Sequence, residues 1–411
     1  MNLLYIAYSC SPYHGSEDKI GWNIPVESAK TNRVFVITKE EQRQYVEAYL
    51  AQNPLENIRF FYVDIPAGYK KVFRGPLYSG RLNVWNRRAF RLAKELCARE
   101  KIDVIHQIAP VEFRSIGNYG AIDNVKFVCG PIGGGERVPA PLKEYVRSAA
   151  HIEAMHSIVN GLYRWLPRTR RILRRVDHLL FANYENETYL QKICPKDLPT
   201  EVMTEVAIHQ QDLSDPLEKE NHLDRIPAFV VVGRLVYRKG HTLLLDALAR
   251  LPKDASYRCR IVGEGKEMES LKKKCADLGL NDKVFLEGAV PYTQIGQIYD
   301  SADVLIMPSF REATGSVILE AMSKGLPVIT IAKFGGATIL DETTGWLYEG
   351  ATKDAYINNL KDAIATCIDD PELVRQKGIR ARKMAETFTW EEKMKHYQAI
   401  YQSVQAGSLK Q

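Results

Sequence analysis

The residues with the clearest chemical potential are two glutamates, Glu312 and Glu320, with a Thr314-Gly315 step between them. Apolar residues recur at helical spacing around Glu320, which predicts a helix there. The glycine and polar residues before that helix predict a loop around Glu312, with backbone N–H groups near its carboxylate. A loop acid and a helix acid could hold two parts of one ligand, for instance a sugar and a ribose. The alternative is a pair of solvated surface acids.

Two cations, Arg234 and Lys239, lie between the predicted strand AFVVVGRL and the predicted helix from His241 to Arg250. Glycines stand beside both of them, at Gly233 and Gly240. Cations and free backbone N–H groups at a helix N-terminus suit an anion such as a diphosphate. Because lysine and arginine also occur in ordinary turns, the pair alone leaves both interpretations open.

The first half of the chain contributes a histidine and two glycine loops. His106 ends a predicted strand, where it could orient a sugar hydroxyl or act on a proton, or could instead be a structural histidine. Gly15 and Ser16 follow the first strand and could approach a ligand through the backbone, although half of such loops are simple turns. The segment Gly130 to Glu136, GPIGGGE, indicates a functional loop or a hinge.

Strand-like and helical stretches alternate along the whole chain and would position these residues. This alternation predicts parallel sheets covered by helices, with ligands at the carboxyl ends of the strands. Strands are predicted up to the run from Val202 to Ile208, which closes the first half. We predict an N-terminal domain over 1–209, a linker over 210–227 and a C-terminal domain over 228–389, with a last helix over 390–411 that packs back on the first domain.

Length and composition agree with two or three domains of an ordinary soluble globular protein. The chain has 411 residues, of which 45% are hydrophobic and 26% charged. No apolar run approaches the roughly 18 residues of a membrane helix, and the opening MNLLYIAYSC is interpreted as a buried strand, not a signal peptide. The seven cysteines are scattered, which excludes a disulfide framework or a Cys-x-x-Cys zinc site and predicts a reducing cytoplasm.

The net charge of +6 is unevenly distributed, because the basic excess lies in the first half of the chain. Two segments, 65–94 and 163–175, combine many cations with aromatic residues and contain no acid. Such segments suit the anionic inner face of a membrane, where each cation adds about 1 kcal/mol. A solvated face or a phosphate-binding groove would have the same composition.

The motifs of the second half together resemble the donor-binding domain of glycosyltransferase family 4, also called group 1. The resemblance is carried by GRLVYRKG, VGEG, EATGSVILEAMSKGLPVI and FGGATILDETTGWL. It is dense over 228–350 and more diffuse over the first 200 residues. It implies a retaining enzyme of the α/β GT-B fold, in which two Rossmann-like doubly wound domains face each other across a deep cleft.

The resemblance also implies a role for each candidate residue. Arg234 and Lys239 would bind the nucleotide diphosphate, Glu320 the ribose hydroxyls and Glu312 the donor sugar, while Val290 would lie near the base. His106 matches the active-site histidine of the family. Further donor contacts are implied for Gly15, Ser16, Gly263, Ala313, Thr314 and Gly315. Family members commonly have Glu-Gly-Phe-Gly where this chain has Glu312 followed by Ala-Thr-Gly, so the sugar pocket is expected to differ in shape.

The implied reaction moves a sugar from a nucleoside diphosphate sugar, with UDP favoured over GDP, to a hydroxyl of a saccharide or lipid-linked saccharide. Retention of configuration, a role in cell-surface polysaccharide or glycolipid synthesis and a peripheral position on the inner membrane face would follow. No cofactor is expected, and the absence of an Asp-x-Asp motif agrees with metal-independent chemistry. The alternatives are a glycoside hydrolase that uses the two glutamates, an epimerase or hydrolase on the same fold, and an inactive membrane-bound scaffold.

Overall fold

A computed structural model describes residues 1–15, 17–72, 78–214 and 226–407 of the chain. The chain divides into two compact units. The first unit contains Met1–Gly135, Ile152–Val206 and the chain from Trp390 onward, and the second contains Glu136–His151 and Ala207–Thr389. The chain therefore passes between the units at four places, one of them directly after the glycines of GPIGGGE.

The first unit is built on a parallel sheet of seven strands in the order β3-β2-β1-β4-β5-β6-β7. Its strands are β1 Asn2–Ala7, β2 Arg33–Lys39, β3 Ile58–Val63, β4 Val104–Ala109, β5 Lys126–Ile132, β6 His178–Phe181 and β7 Thr200–Val202. The central strands are short runs rich in β-branched residues and are buried on both faces, as parallel sheets require. The strand order reverses between β1 and β4.

Helices cover both faces of this sheet. They are α1 Glu17–Ser28, α2 Arg43–Gln52, α3 Ala67–Val72, α4 Tyr78–Glu100, α5 Ala150–Trp165, α6 Pro167–Leu173 and α7 Tyr184–Leu190. The predicted strand from Val202 to Ile208 is wrong beyond its first residue, because β7 ends at Val202. Val206 and Ala207 are buried outside any strand, and Ile208 makes only an isolated bridge to Thr389, so the apolar character of this run reflects packing.

The second unit is built on a parallel sheet of six strands in the order β10-β9-β8-β11-β12-β13. Its strands are β8 Ala228–Val232, β9 Arg258–Val262, β10 Val284–Gly288, β11 Val304–Met307, β12 Val328–Ile331 and β13 Gly345–Tyr348. Its helices are α8 His241–Leu248, α9 Met268–Asp277, α10 Ile295–Asp300, α11 Ser316–Ser323, α12 Phe334–Ile339, α13 Lys353–Asp369 and α14 Pro371–Ala385. The predicted doubly wound α/β architecture is confirmed in both units.

The segment 136–151 departs from the predicted domain boundary, because it packs in the second unit and not in the first. Val138, Leu142 and Val146 are buried in the core of the second unit. Tyr145 donates a hydrogen bond of 2.7 Å to Asp246 of α8 and packs its ring against Phe310. A local sequence pattern does not show this exchange, since it depends on contacts about a hundred residues away.

The last helix, α15 Trp390–Ala406, belongs to the first unit. Its residues Tyr397 and Tyr401 are fully buried beside the sheet, and the ammonium group of Lys393 donates to the backbone oxygen of Thr204. Most of the predicted linker, 215–225, lies outside the described residues; its first part forms a short turn at Gln210–Asp212. Within the described chain, every helix is too short or too polar to cross a bilayer.

Candidate functional site

The candidate site lies in the second unit, where the order of the strands reverses between β8 and β11. In open parallel sheets, ligands bind at the carboxyl ends of the strands on either side of such a reversal. The connection after β8 carries Arg234, Arg238 and Lys239, and the connection after β11 carries Glu312. The two connections are joined by a backbone hydrogen bond of 2.7 Å from Phe310 N–H to the Arg238 oxygen.

The side chains of the two connections meet in one charged cluster. Lys239 Nζ donates a hydrogen bond to Glu312 Oε2, and Arg238 Nη1 lies 3.6 Å from the same oxygen. Arg238 Nη1 also donates to the backbone oxygen of Arg311 at 3.2 Å. All three charged side chains of this cluster are largely buried, so solvent screens them only weakly.

The electrostatics of the cluster keep Glu312 ionised. Burial by itself raises the pKa of the Glu312 carboxyl, but the nearby cations Lys239, Arg238 and Arg234 together hold that pKa below its ordinary value. Three cations face one carboxylate, so the cluster retains a positive excess. Such an excess suits an anionic ligand better than a neutral one.

Two glycines allow the connections to approach each other closely. Gly263, after β9, has φ +143°, and a Cβ atom there would lie 1.9 Å from the Gly233 oxygen. Gly240, just before α8, has φ +73°, and its Cβ would lie 1.9 Å from the Pro308 oxygen. Only glycine fits these positions, and both hold the backbone around the charged cluster. Gly263 therefore allows the connections after β8 and β9 to pack closely, and its role as a donor contact stays a prediction.

Glu320 lies on α11 and Glu312 on the preceding loop, which confirms the predicted helix and loop. The Glu320 carboxylate accepts a hydrogen bond of 3.2 Å from the hydroxyl of Tyr299, on α10. Val290 follows β10 directly and is half-buried. These residues lie after strands β10 and β11, at the same edge of the sheet as Arg234.

The step that departs from the family pattern, Ala313-Thr314-Gly315, leads into α11. Gly315 has φ +85° and stands directly before the first helical residue, Ser316. Thr314 is completely buried, and its backbone oxygen lies against Gly335 of α12. Thr314 therefore belongs to the packing between this step and α12.

The structure contradicts the prediction that His106 acts on a substrate. The His106 ring is 1% exposed, and both of its nitrogens are engaged. Nδ1 lies 2.7 Å from the Tyr401 hydroxyl and Nε2 lies 2.7 Å from the Gly130 oxygen. Burial lowers the pKa of His106 to about 3, which keeps the ring neutral. His106 is a structural residue that ties α15 to the sheet.

The two glycine loops of the first unit differ from each other. Gly15 is exposed, with open space where a Cβ atom would stand, so the fold does not require glycine there. Its predicted neighbour in the loop, Ser16, lies outside the described residues. In GPIGGGE, by contrast, the backbone is hydrogen-bonded to side chains of the same unit. The Gly134 oxygen accepts a hydrogen bond from Asn160, and the Gly135 N–H donates one to Asn186.

The sequence of the second unit matches the family model described as "Glycosyl transferases group 1", over residues 216–384. Residues 216–384, about two fifths of the chain, are thus similar to group 1 glycosyltransferases. The candidate cluster, with its three cations and Glu312, falls inside the matched region.

Curated relatives resemble part of the chain. D-inositol 3-phosphate glycosyltransferase of Streptomyces griseus is 34% identical over 177 residues, which are 40% of this chain and 36% of the relative. A protein of Mycolicibacterium smegmatis, the GDP-mannose-dependent alpha-(1-6)-phosphatidylinositol monomannoside mannosyltransferase, is 30% identical over 239 residues, 54% of this chain and 61% of the relative. The chain thus spans between about a third and three fifths of the length of these relatives.

Solved glycosyltransferases resemble the whole chain. HepE of Anabaena, solved in complex with UDP, has a TM-score of 0.65 to this chain at 17% identity, and the match covers 98% of this chain and 100% of HepE. Likeness at this identity establishes the fold, which is GT-B.

Three residues that contact Glu312, Glu320 or His106 were not predicted from the sequence. Arg238 lies beside Lys239 in YRKG, and a search for every cation between β8 and α8 would have found it. Tyr299 and Tyr401 pair with Glu320 and His106 across 21 and 295 residues of sequence, and no local pattern marks either pair.

Proposed function

We propose that this protein is a retaining glycosyltransferase that uses a nucleoside diphosphate sugar as donor. The observation that carries the proposal is the charged cluster at the sheet reversal, where Arg234, Arg238 and Lys239 surround the ionised Glu312. The positive excess of this cluster complements a diphosphate, whose two phosphates are both ionised at neutral pH. The Gly263 and Gly240 backbones would let the diphosphate approach closely.

In the proposed reaction, the bond between the anomeric carbon and the diphosphate oxygen breaks, and negative charge develops on the departing phosphate. Arg234, Arg238 and Lys239 stabilise that charge where it forms, and each such donor is worth about 3 kcal/mol of the barrier. The acceptor hydroxyl attacks the anomeric carbon from the same face and passes its proton to the departing phosphate. Configuration is retained, and no enzyme carboxylate needs to move a proton.

Glu312 would accept hydrogen bonds from hydroxyls of the donor sugar, and Glu320 from the ribose. The lowered pKa of Glu312 suits an acceptor of hydrogen bonds and does not suit the acid of a glycoside hydrolase, which must hold a proton near neutral pH. The ion pair with Lys239 would also fix the carboxylate in place before the sugar arrives. We therefore prefer the transferase to the hydrolase.

We propose UDP as the donor nucleotide, with GDP as the second candidate. The HepE complex with UDP supports the first, and the GDP-mannose-dependent relative supports the second. Thermal unfolding with UDP, GDP and ADP tests this proposal, because a bound nucleotide raises the melting temperature. We expect UDP to stabilise the protein most, and equal stabilisation by all three would contradict base selection.

For the acceptor, we propose a hydroxyl of a saccharide or lipid-linked saccharide, in glycolipid or polysaccharide synthesis at the inner face of the membrane. The phosphatidylinositol monomannoside in the name of one relative supports an acceptor of this class. Vesicle-borne glycolipids and soluble saccharides, offered with the same donor, would distinguish the two forms.

The decisive test of the reaction is the anomeric configuration of the product, measured by NMR. Retention is expected, and an inverted linkage would exclude this mechanism. Turnover without any acceptor, giving an epimerised sugar, would favour an epimerase instead. We also propose that the reaction needs no metal ion, and unchanged turnover in EDTA is the expected result.

A further inference from the structure

Helix α5 of the first unit exposes its apolar side. Ile152, Met155, Ile158, Leu162 and Trp165 recur every three to four residues and lie on one face of the helix. The side chains of Ile158, Leu162 and Trp165 are 64%, 62% and 56% exposed. Isolated exposed apolar residues are common, but a continuous stripe along four turns marks an interaction surface.

The opposite side of α5, which faces the protein, has Tyr163 packed against the core but is otherwise largely polar. Asn160 is fully buried and donates a hydrogen bond of 2.7 Å to the Gly134 oxygen. Glu153, His156 and Arg164 are half-buried on the same side. A surface helix normally turns its apolar face to the core and its polar face to water. Because α5 does the reverse, its outward face is built for an apolar partner.

Cations continue directly from the apolar stripe. No acid occurs between Glu153 and Asp177, and six arginines do, at Arg164, Arg168, Arg170, Arg171, Arg174 and Arg175. On α6, Ile172 and Leu173 are buried, so they do not share an outward surface with the arginines. Their burial holds α6 to the core and leaves Arg171 and Arg174 exposed.

A small basic pocket lies beside the end of the stripe. It has a volume of about 190 Å³ and is lined by Arg170, Arg174, Lys192, Ile193, Cys194 and Pro195. The Nε of Arg170 is buried and makes no hydrogen bond to any part of the chain that the structure describes. The Arg170 guanidinium lies 4.7 Å from the centre of the Trp165 ring, so the pocket adjoins the apolar stripe. Three cations around such a cavity suit a phosphate group.

Helix α4 extends the basic surface, but one of its aromatic residues is buried. Arg168 Nη1 donates to Asn83 of α4 at 2.7 Å, and Arg87 is close enough to lower the pKa of Arg168, after burial as the larger cause. The two predicted basic segments therefore meet. Trp85, however, is completely buried and donates its N–H to the Val63 oxygen, so it is a core residue and not a membrane anchor.

We propose that the apolar face of α5 docks on an anionic lipid bilayer, with a lipid phosphate held in the pocket of Arg170, Arg174 and Lys192. Ile158, Leu162 and Trp165 enter the boundary between headgroups and acyl chains, and the arginines of α6 lie among the headgroups. A second copy of this chain fits the surface less well, because a symmetric contact would bring the same arginines together. The inference deepens the proposed function, since it names the surface that brings a lipid-linked acceptor to the enzyme.

Flotation with vesicles tests the docking surface. We expect binding to vesicles of phosphatidylcholine with phosphatidylglycerol, weaker binding to pure phosphatidylcholine, and release by salt. Leu162→Glu should reduce the partition coefficient about ten-fold, whereas Ile379→Glu, at an apolar residue of the second unit that is 37% exposed, should not. Each of Arg171→Glu and Arg174→Glu should reduce it about five-fold or more, and Lys383→Glu should not.

Trp165 reports directly on insertion, because Trp22, Trp85 and Trp390 are buried and the half-buried Trp346 lies on β13 of the second unit. Vesicles with brominated lipids should quench the fluorescence of the unaltered protein, and Trp165→Tyr should remove most of that quenching. Quenching that persists in the Trp165→Tyr variant would contradict insertion of this face of α5.

The source of the phosphate and the nature of the partner are separated by two further measurements. Inorganic phosphate that competes with vesicles only at high concentration agrees with a lipid site; tight phosphate binding without flotation would overturn the bilayer proposal. A dimer that Leu162→Glu dissociates, with no flotation, would also overturn it and assign the face to a second copy. UDP binding, measured on the same preparations, shows independently whether the donor site functions.

Discussion

Lys239 and Glu312 form an ion pair between the connections that follow two neighbouring strands, β8 and β11. The pair lies where the strand order reverses, with Arg238 3.6 Å from the same carboxylate oxygen. Lys239 helps to keep the buried Glu312 charged, because a buried charge without a partner is costly. In the proposed reaction, the pair would hold an acceptor for a sugar and a donor for a phosphate side by side before any ligand binds.

Replacement of Lys239 by alanine should reduce kcat/KM about 100-fold, because it removes one of the groups that stabilise the departing phosphate. The buried Glu312 would lose its main partner, so a loss of stability is also expected. Steady-state kinetics on folded protein, checked by circular dichroism, measure the first effect. Lys324→Ala is the matched control, since Lys324 forms only a partly exposed pair with Asp300 at 3.5 Å. Equal activities of the two variants would remove the diphosphate role.

Glu320 should distinguish ribose from deoxyribose. If its carboxylate binds the ribose hydroxyls, Glu320→Ala should weaken the binding of UDP about 10- to 100-fold and the binding of 2′-deoxy-UDP much less. Tyr299→Phe removes only the hydroxyl that orients Glu320 and should have a smaller effect of the same kind. Calorimetric titration of both nucleotides measures the difference. The same loss for UDP and its deoxy analogue would place the ribose elsewhere.

Gly263 should not tolerate a side chain. An alanine there meets the Gly233 oxygen at 1.9 Å and must adopt φ +143°, so we expect a loss of several kcal/mol of stability or of the site geometry. Gly296→Ala, on α10, is the control, because nothing lies within 4 Å of its Cβ position and alanine favours a helix by about 1 kcal/mol. Thermal unfolding and UDP binding of both variants provide the comparison.

His106 should affect stability in acid, not catalysis. Its pKa is about 3 in the folded protein and about 6.5 when unfolded, so the unfolded state binds more protons between these values. Stability should fall as the pH drops below about 6.5, by at most about 1.4 kcal/mol per pH unit from this group. His106→Gln should flatten the dependence of stability on pH and keep the turnover of folded molecules within about two-fold. Replacement of the exposed His151 is the control and should change neither the pH dependence nor the turnover. Loss of turnover at full folding would restore a catalytic role.

The fold and the position of the site could be predicted largely from local patterns. Alternating strands and helices determine a doubly wound sheet, and the carboxyl edges of β8 and β11 necessarily bring Arg234, Lys239 and Glu312 to one side. The spacing of apolar residues also placed Glu320 on a helix and Glu312 before it.

The errors have a common physical cause, which is that burial depends on partners far away in sequence. His106 lies inside β4 and not at its end as predicted, and Tyr401, near the chain's end, contacts its ring. The segment 136–151 belongs to the second unit because Tyr145 and Leu142 find their partners there. The basic composition of 163–175 can be read from the sequence. The outward apolar face of α5 begins before this segment, and only the exposed fractions of its side chains in the structure reveal it.

The proposed function depends most on the binding of a nucleoside diphosphate at the cluster of Lys239 and Glu312. Titration calorimetry of UDP and GDP into the unaltered protein, the Lys239→Ala variant and the Lys324→Ala control measures this binding. We predict that one nucleotide binds the unaltered protein and the control with equal affinity, and binds Lys239→Ala about 100-fold more weakly. Absence of binding to the unaltered protein, or equal affinity for all three proteins, would contradict it.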